Sequence, residues 1–293
     1  MALRAVGHSV VGYARRAETR RRALELGAAD EVVATLPEAA QAEVVILAPP
    51  VLAIRRLLPE LAPHLRPGTV VTDVASTKVN VEGWARRFLP REVAFVGGHP
   101  MAGKETAGIE YAEASLFRGR TWCVVPPEGV ERGAVGTVLG LAGDAGATTL
   151  LIGAAEHDRA VAATSHLPFT AAAALCLAVV AKEGFGKVAP VAGSGLRDTT
   201  RLASGDALMH RDICLTNRDN LVHELEGFAA RVTEIAALLK RLPEADLDPD
   251  VVEQDAALGE LEALFVRLKE ARDSWLRNPP LPPASSPGMG EGE

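Results

Sequence analysis

Short apolar runs recur through the first half of the chain, each separated from the next by a segment with helical spacing. This alternation restricts the fold more than any other feature. Val44-Val45-Ile46-Leu47 reads as a strand, residues 51–61 as a helix, residues 69–72 as a strand, 79–88 as a helix and 93–96 as a strand. Upstream, residues 1–6 read as the last turn or two of a helix closed by Gly7. A strand-like run over 8–13 follows, then an amphipathic helix over 18–26 capped by Gly27, and the short apolar pair Val32-Val33. Trp122-Cys123-Val124-Val125, a helical stretch over 131–145 and residues 148–152 extend the series. Strands and helices alternating in this way predict an α/β fold with a doubly wound parallel sheet.

From residue 154 the alternation stops. Residues 154–182, 206–241 and 249–277 carry apolar residues at helical spacing, which predicts an all-α region. Residues 278–293 are rich in Pro, Gly and Ser, have little to bury, and read as a disordered tail. The expected division is therefore 1–153, 154–277 and 278–293, without internal repeats. A formal charge of −7 and the lack of a basic stripe argue against a nucleic-acid partner, so a small-molecule ligand is expected. Cys123, Cys176 and Cys214 are widely spaced and form no CxxC, so neither a disulfide framework nor a metal site is expected, and a reducing cytoplasm fits. The longest apolar run, residues 170–181, is too short to span a bilayer, and no signal-peptide pattern opens the chain. Apolar positions along 213–239 and 258–276 exceed what one small bundle covers, which predicts a homodimer.

After the run Val93-Ala94-Phe95-Val96 comes Gly97-Gly98-His99-Pro100-Met101-Ala102-Gly103-Lys104-Glu105. The glycines predict a sharply turning loop that presents His99 to a ligand, with Pro100 stiffening it. An imidazole held there can take a proton from a hydroxyl near neutral pH. Read alone, the same stretch is more often a surface turn.

Three further segments complete a pattern: Asp73-Val74-Ala75-Ser76-Thr77-Lys78, Ser165-His166-Leu167-Pro168 and Asp198-Thr199-Thr200-Arg201. With the His99 segment, in this order and spacing, they resemble the prephenate/arogenate dehydrogenase family of tyrosine biosynthesis. The resemblance spans residues 1 to 277. It implies a Rossmann-like domain followed by a helical dimerisation domain, and oxidative decarboxylation of prephenate to 4-hydroxyphenylpyruvate with NAD or NADP. Arogenate is the alternative substrate. It further implies that His99 polarises the C4 hydroxyl and that Ser76 orients the same oxygen, although a serine there is also a helix N-cap. If neutral His99 is the active form, turnover should fall in acid through the ordinary imidazole value of about 6.5.

Arg201 offers a fork of donors to a substrate carboxylate, with Arg197 as a weaker second candidate. His166 is a second choice at the substrate, its alternative being a hydrogen-bonded core residue. Lys78 could contact phosphate or carboxylate, or simply begin a helix. Asp73, Ala48 and Pro49 are placed on the cofactor side, Asp73 with the alternative of fixing turn geometry. His8, His157, His210 and His223 show no comparable setting.

The sequence departs from the family pattern in three places. The family's first strand and G-x-G-x-x-G loop do not precede residue 1, so the expectation is a start about two dozen residues upstream, the span of a strand-loop-helix unit, and weak dinucleotide binding without it. Where NAD enzymes carry an acidic residue, this chain has Tyr13-Ala14-Arg15-Arg16, with Ala14 at the acidic position, and the two arginines tip the balance toward NADP. Phe169 stands where S-H-L-P often continues with a second histidine, which leaves the preference between keto and amino side chains open. Two other readings compete. One is a non-catalytic remnant acting as a dimeric binding module. The other is a β-hydroxyacid dehydrogenase, for which Lys182 lies too far along its helix.

Overall fold

The computed structural model of the protein describes residues 1–103, 108–242 and 255–277. Its contacts divide the chain into residues 1–221 and 222–293. In the first part β3 (Val44–Leu47), β4 (Val70–Asp73), β5 (Ala94–Pro100), β6 (Thr121–Val125) and β7 (Thr148–Leu151) form one sheet in that spatial order. β1 (Val11–Tyr13) and β2 (Glu31–Val33) form a separate parallel pair. The neighbours β3–β4, β4–β5 and β6–β7 are parallel.

β6 runs antiparallel to β5, pairing Gly97 with Val125 and His99 with Cys123, so the sheet is not wholly parallel as the alternation predicts. A parallel return needs a long crossover, usually a helix. Between these two strands the described residues hold only the short 3₁₀ turn Ile109–Tyr111.

The helices explain the core. In α4 (Val51–Leu61), Val51, Ile54, Leu58 and Leu61 fall on one stripe and are buried. With Val81 and Ala85 of α5 (Val79–Phe88) they cover Leu47, Val71 and Phe95 on one face of the sheet. On the other face α6 (Arg132–Asp144) lays Ala134, Val138 and Ala142 against Val70, Val96 and Val124. Each fully buried branched side chain of this kind stabilises the fold by about 1.5–3 kcal/mol. α1 (Ala2–Ala5) and α2 (Ala17–Glu25) match the helices expected at the start, and Gly7 takes the positive φ of 97° that ends α1.

Beyond β7 a helical run starts with α7 (Ala154–Val161), passes through the π-helical turn Ala162–His166, continues as α8 (Leu167–Leu175) and ends in a second π turn, Cys176–Val180. Its 27 residues are long and apolar enough to cross a membrane, so the apolar stretch is longer than the run at 170–181 suggested. The helix simply continues upstream through alanines. His157 and Asp158 in its first turns are buried and hydrogen-bonded to residues of the sheet region. α9 (Phe185–Val188) and α10 (Ser194–Thr200) follow.

The helix expected over 206–241 is two, α11 (Ala207–Thr216) and α12 (Arg218–Leu239). They part at Asn217, whose φ of −126° leaves the helix while its amide donates to the Asp158 carbonyl at 2.7 Å and bonds the His166 ring at 3.0 Å. In the second part, α12 continues and α13 (Ala256–Arg277) follows, with Arg241 paired to Glu260. Phe228, Val232, Leu239, Phe265 and Trp275 on these helices are exposed. The expected tail at 278–293 and the start of the third helix at 249–254 lie outside the described residues.

Candidate active site

The ends of β4 and β5 are locked together by a buried ion pair. Asp73 accepts the Gly98 amide on one oxygen at 3.0 Å, and the Ala75 amide at 3.0 Å on the other, which also takes the Lys78 ammonium. Lys78 donates as well to the Gly98 carbonyl at 2.6 Å. Both side chains are sealed, at 1% and 0% exposure. Burial pushes the Lys78 ammonium downward from its ordinary value, and Asp73 opposes that shift. Neither residue is among those lining the neighbouring cavity. Lys78 and Asp73 form a clamp that holds the strand ends, their charges committed to one another, in keeping with the alternative in which Asp73 fixes turn geometry.

His99 sits on β5 itself, not on a loop beyond it. The glycines before it serve close approach instead of a turn. A Cβ on Gly98 would stand 2.5 Å from the Asp73 carbonyl oxygen and 2.9 Å from Trp122 Nε1. Lys104 and Glu105 of the expected loop lie outside the described residues.

His99 Nδ1 is 2.9 Å from His157 Nε2, and His157 Nδ1 is 2.8 Å from Asp158 Oδ1. Asp158 also accepts the Lys78 amide at 2.8 Å and the Val79 amide at 3.0 Å, at the start of α5. A carboxylate only accepts, so His157 donates from Nδ1, accepts at Nε2 and fixes His99 as the Nδ1–H tautomer. The lone pair of His99 is thus on Nε2, which has no partner among the described residues. Burial, then the charges of Lys78, His157 and His166, hold the His99 imidazole well below its ordinary value. The neutral ring therefore persists into acid.

His157 was not legible as a site residue in the sequence. Its partner lies 58 positions away, and the only local signal was the His-Asp pair one turn into a helix that follows a strand. His166 is 1% exposed and bonded through Nδ1 to Asn217, its Nε2 is buried without a partner, and burial lowers it to about 4. It does not line the cavity, and the core alternative describes its place. Phe169 stacks on His210 with centroids 4.1 Å apart.

A cavity of about 470 Å³ opens beside the strand ends, lined by Ser76, His99, Pro100, Thr72, Trp122, Ala48 and Met209 together with apolar residues of β3 and α6. Buried Trp122 Nε1 and Thr72 Oγ1 have no hydrogen-bond partner there. The cavity separates β1 from β3, whose Val11 and Ile46 are 40% and 39% exposed. Arg197 and Arg201 are exposed on and just after α10, and neither lines it. Pro49 follows β3 without lining it. At the end of β1, Arg20 donates to the carbonyls of Ala14 and Arg15 at 2.8 and 3.0 Å, fixing a turn on which Arg15 and Arg16 are exposed. No cluster of potential metal ligands occurs among the described residues.

Residues 1–151 match the family profile described as prephenate dehydrogenase, nucleotide-binding domain, and residues 153–251 match prephenate dehydrogenase, dimerization domain. The chain belongs to the prephenate dehydrogenase family. The prephenate dehydrogenase of Bacillus subtilis is 32% identical over 241 residues, 80% of this chain and 64% of that protein, so the chain spans less than two thirds of that relative's length. The structure of prephenate dehydrogenase from A. aeolicus in complex with hydroxyphenyl propionate and NAD+ superposes with a TM-score of 0.80 at 27% identity, covering 92% of each chain. Arogenate dehydrogenase from Synechocystis superposes with a TM-score of 0.76 at 28% identity over 94% of each. As a member of the prephenate dehydrogenase family, the chain has a Rossmann-like α/β domain followed by a helical dimerisation domain.

A nicotinamide dinucleotide fits the cavity in kind. The cavity lies where open α/β sheets receive nucleotides, at the C-terminal ends of β3, β4 and β5, with Trp122 and Thr72 among its lining residues. Ala48 lines it, whereas Ala14, Arg15 and Arg16 do not.

Proposed function

We propose that the chain is an NAD(P)-dependent prephenate dehydrogenase that converts prephenate to 4-hydroxyphenylpyruvate. The observation that carries the reading is His99: a neutral imidazole with its bare Nε2, on a strand end, lining the same cavity as Ser76. A dinucleotide in that cavity supplies the hydride acceptor. His99 Nε2 accepts the C4 hydroxyl proton as hydride leaves C4, and Ser76 orients that oxygen. The apolar lining excludes water, and the Asp73–Lys78 clamp keeps the histidine in position. Ala48, Pro49 and the Ala14–Arg16 turn hold the dinucleotide, and the arginines favour NADP. Arg201, with Arg197 second, binds a substrate carboxylate.

The exposed apolar faces of α12 and α13 and the match to the dimerization domain support a homodimer, and the relatives support a soluble cytoplasmic enzyme. Arogenate is the second reading, favoured by the likeness to arogenate dehydrogenase. Turnover of prephenate and of arogenate, each with NAD and with NADP, tests both readings. No reduction of either cofactor with either substrate would reject the enzyme, and a preference for arogenate would replace the first reading with the second.

A further inference from the structure

We propose that the proton His99 takes from the substrate hydroxyl is lent onward to His157, held against the Asp158 carboxylate, and returned to the same oxygen at the end of the reaction. The inference rests on the reading of His99 as the base and adds where the proton resides. The three groups stand in line, Nδ1 to Nε2 at 2.9 Å and Nδ1 to Oδ1 at 2.8 Å, and the amides of Lys78 and Val79 prevent Asp158 from rotating away.

The balance of the reaction is compatible with such a loan. As hydride leaves C4 for the nicotinamide, the O–H bond breaks and its electron pair forms the carbonyl. The proton adds to His99 Nε2, and the Nδ1 proton of His99 passes to His157 Nε2. When carbon dioxide departs, the electrons of the broken C–C bond enter the ring and leave a phenolate, which takes the proton back by the reverse path. Prephenate and the oxidised cofactor thus yield hydroxyphenylpyruvate, carbon dioxide and the reduced cofactor with no net proton released. A store closed to solvent suits that sequence, and His157 and Asp158 are 0% and 1% exposed.

The charges around the pair decide where the proton rests. Lys78 from the start of α5 and His166 from the following π turn both oppose a cation at His99, which no carboxylate touches. At His157 the carboxylate of Asp158 is in direct contact, with His99 on the opposite side of the ring. The cation is therefore favoured on His157.

His157→Gln places an amide oxygen where Nε2 stands, so it can still accept from His99 but cannot take its proton. Turnover should fall on the order of 10²-fold with the Michaelis constant changed less than about threefold. The solvent-isotope inventory should change from bowed, with two protons in flight, to linear. Unchanged turnover, or an inventory linear already in the native enzyme, would overturn the relay. Nitrogen-15 NMR of the histidines in the native protein needs no turnover. It should show both rings as Nδ1–H tautomers near neutral pH. An Nε2–H tautomer at His99 would overturn the relay even if the enzyme reading stands. Lack of turnover in the native protein would count against that reading alone.

Discussion

On the β4–β5 side of the cavity the polar groups are buried and bound to fixed partners, whereas on the β1–β3 side two sheets face each other across apolar side chains. Asp73, Lys78, His157 and Asp158 each have charge-assisted hydrogen bonds and almost no exposure. Opposite them, Val11 and Ile46 are more than a third exposed. The contrast separates two tasks. Acid–base chemistry needs groups that do not move, because misplacement of the order of 1 Å costs rate steeply. A surface that receives a ligand leaves its bonds to be made by that ligand.

The largest effect should come from the locked side. His99→Asn can still hydrogen-bond the hydroxyl but cannot accept its proton, so turnover should drop on the order of 10² to 10⁴ with little change in the Michaelis constant. Steady-state kinetics would decide it, and near-native turnover would move the base elsewhere. Next is Lys78→Met, which keeps bulk but leaves Asp73 charged and unpaired in the core. A loss of about 3–5 kcal/mol by denaturant unfolding is expected. Ile46→Thr on the open side should cost far less, within about 1 kcal/mol. If the two variants lose stability equally, the contrast between the sides is wrong.

A smaller effect concerns pH. His99 is held well below its ordinary value of about 6.5, so the neutral, active form survives to lower pH, and the acid limb of turnover should lie below 6.5. Stability changes with the same sign. Between the lowered value and 6.5 the unfolded chain binds a proton that the folded chain does not, so stability present above 6.5 is lost as pH falls. His166, lowered to about 4, adds to that loss. A limb centred at or above 6.5 would mean that a less buried group controls the rate.

The same contrast explains what could be read in advance. Strands β4 and β5 and helices α4 and α5 were legible because burial on both strand faces writes continuous apolar runs, and helix packing a 3.6-residue stripe, directly into sequence. The direction of β6 was not, since a strand's residues carry no sign of whether its neighbour runs parallel. His99 was legible as a chemical residue but not as a strand residue. Gly97 and Gly98 look like a turn until Asp73 and Trp122 are seen crowding the space a Cβ would fill. The contacts of Lys78 and His157 were not legible for one reason: the partner of each comes from another element, and local spacing does not record it.

The smallest expected effect lies on the open side, at the turn after β1. There Ala14 is half-buried, Arg15 and Arg16 are exposed, and Arg20 holds the carbonyls of Ala14 and Arg15 in place. Ala14→Asp adds a carboxylate that can accept from a ribose 2′-hydroxyl and repels a 2′-phosphate, without disturbing the Arg20 bonds, which go to backbone oxygens. The ratio of kcat/KM for NADP over NAD should fall about tenfold, equivalent to about 1.4 kcal/mol. Exposure to solvent keeps the shift this small, and raising the salt concentration should shrink it further by screening the repulsion. Turnover at saturating cofactor should not change, since the turn lies away from His99. A ratio unaffected by the substitution would remove Ala14 from the adenosine site. A fall in saturated turnover instead would show that the two sides of the cavity are coupled and not separate in their tasks.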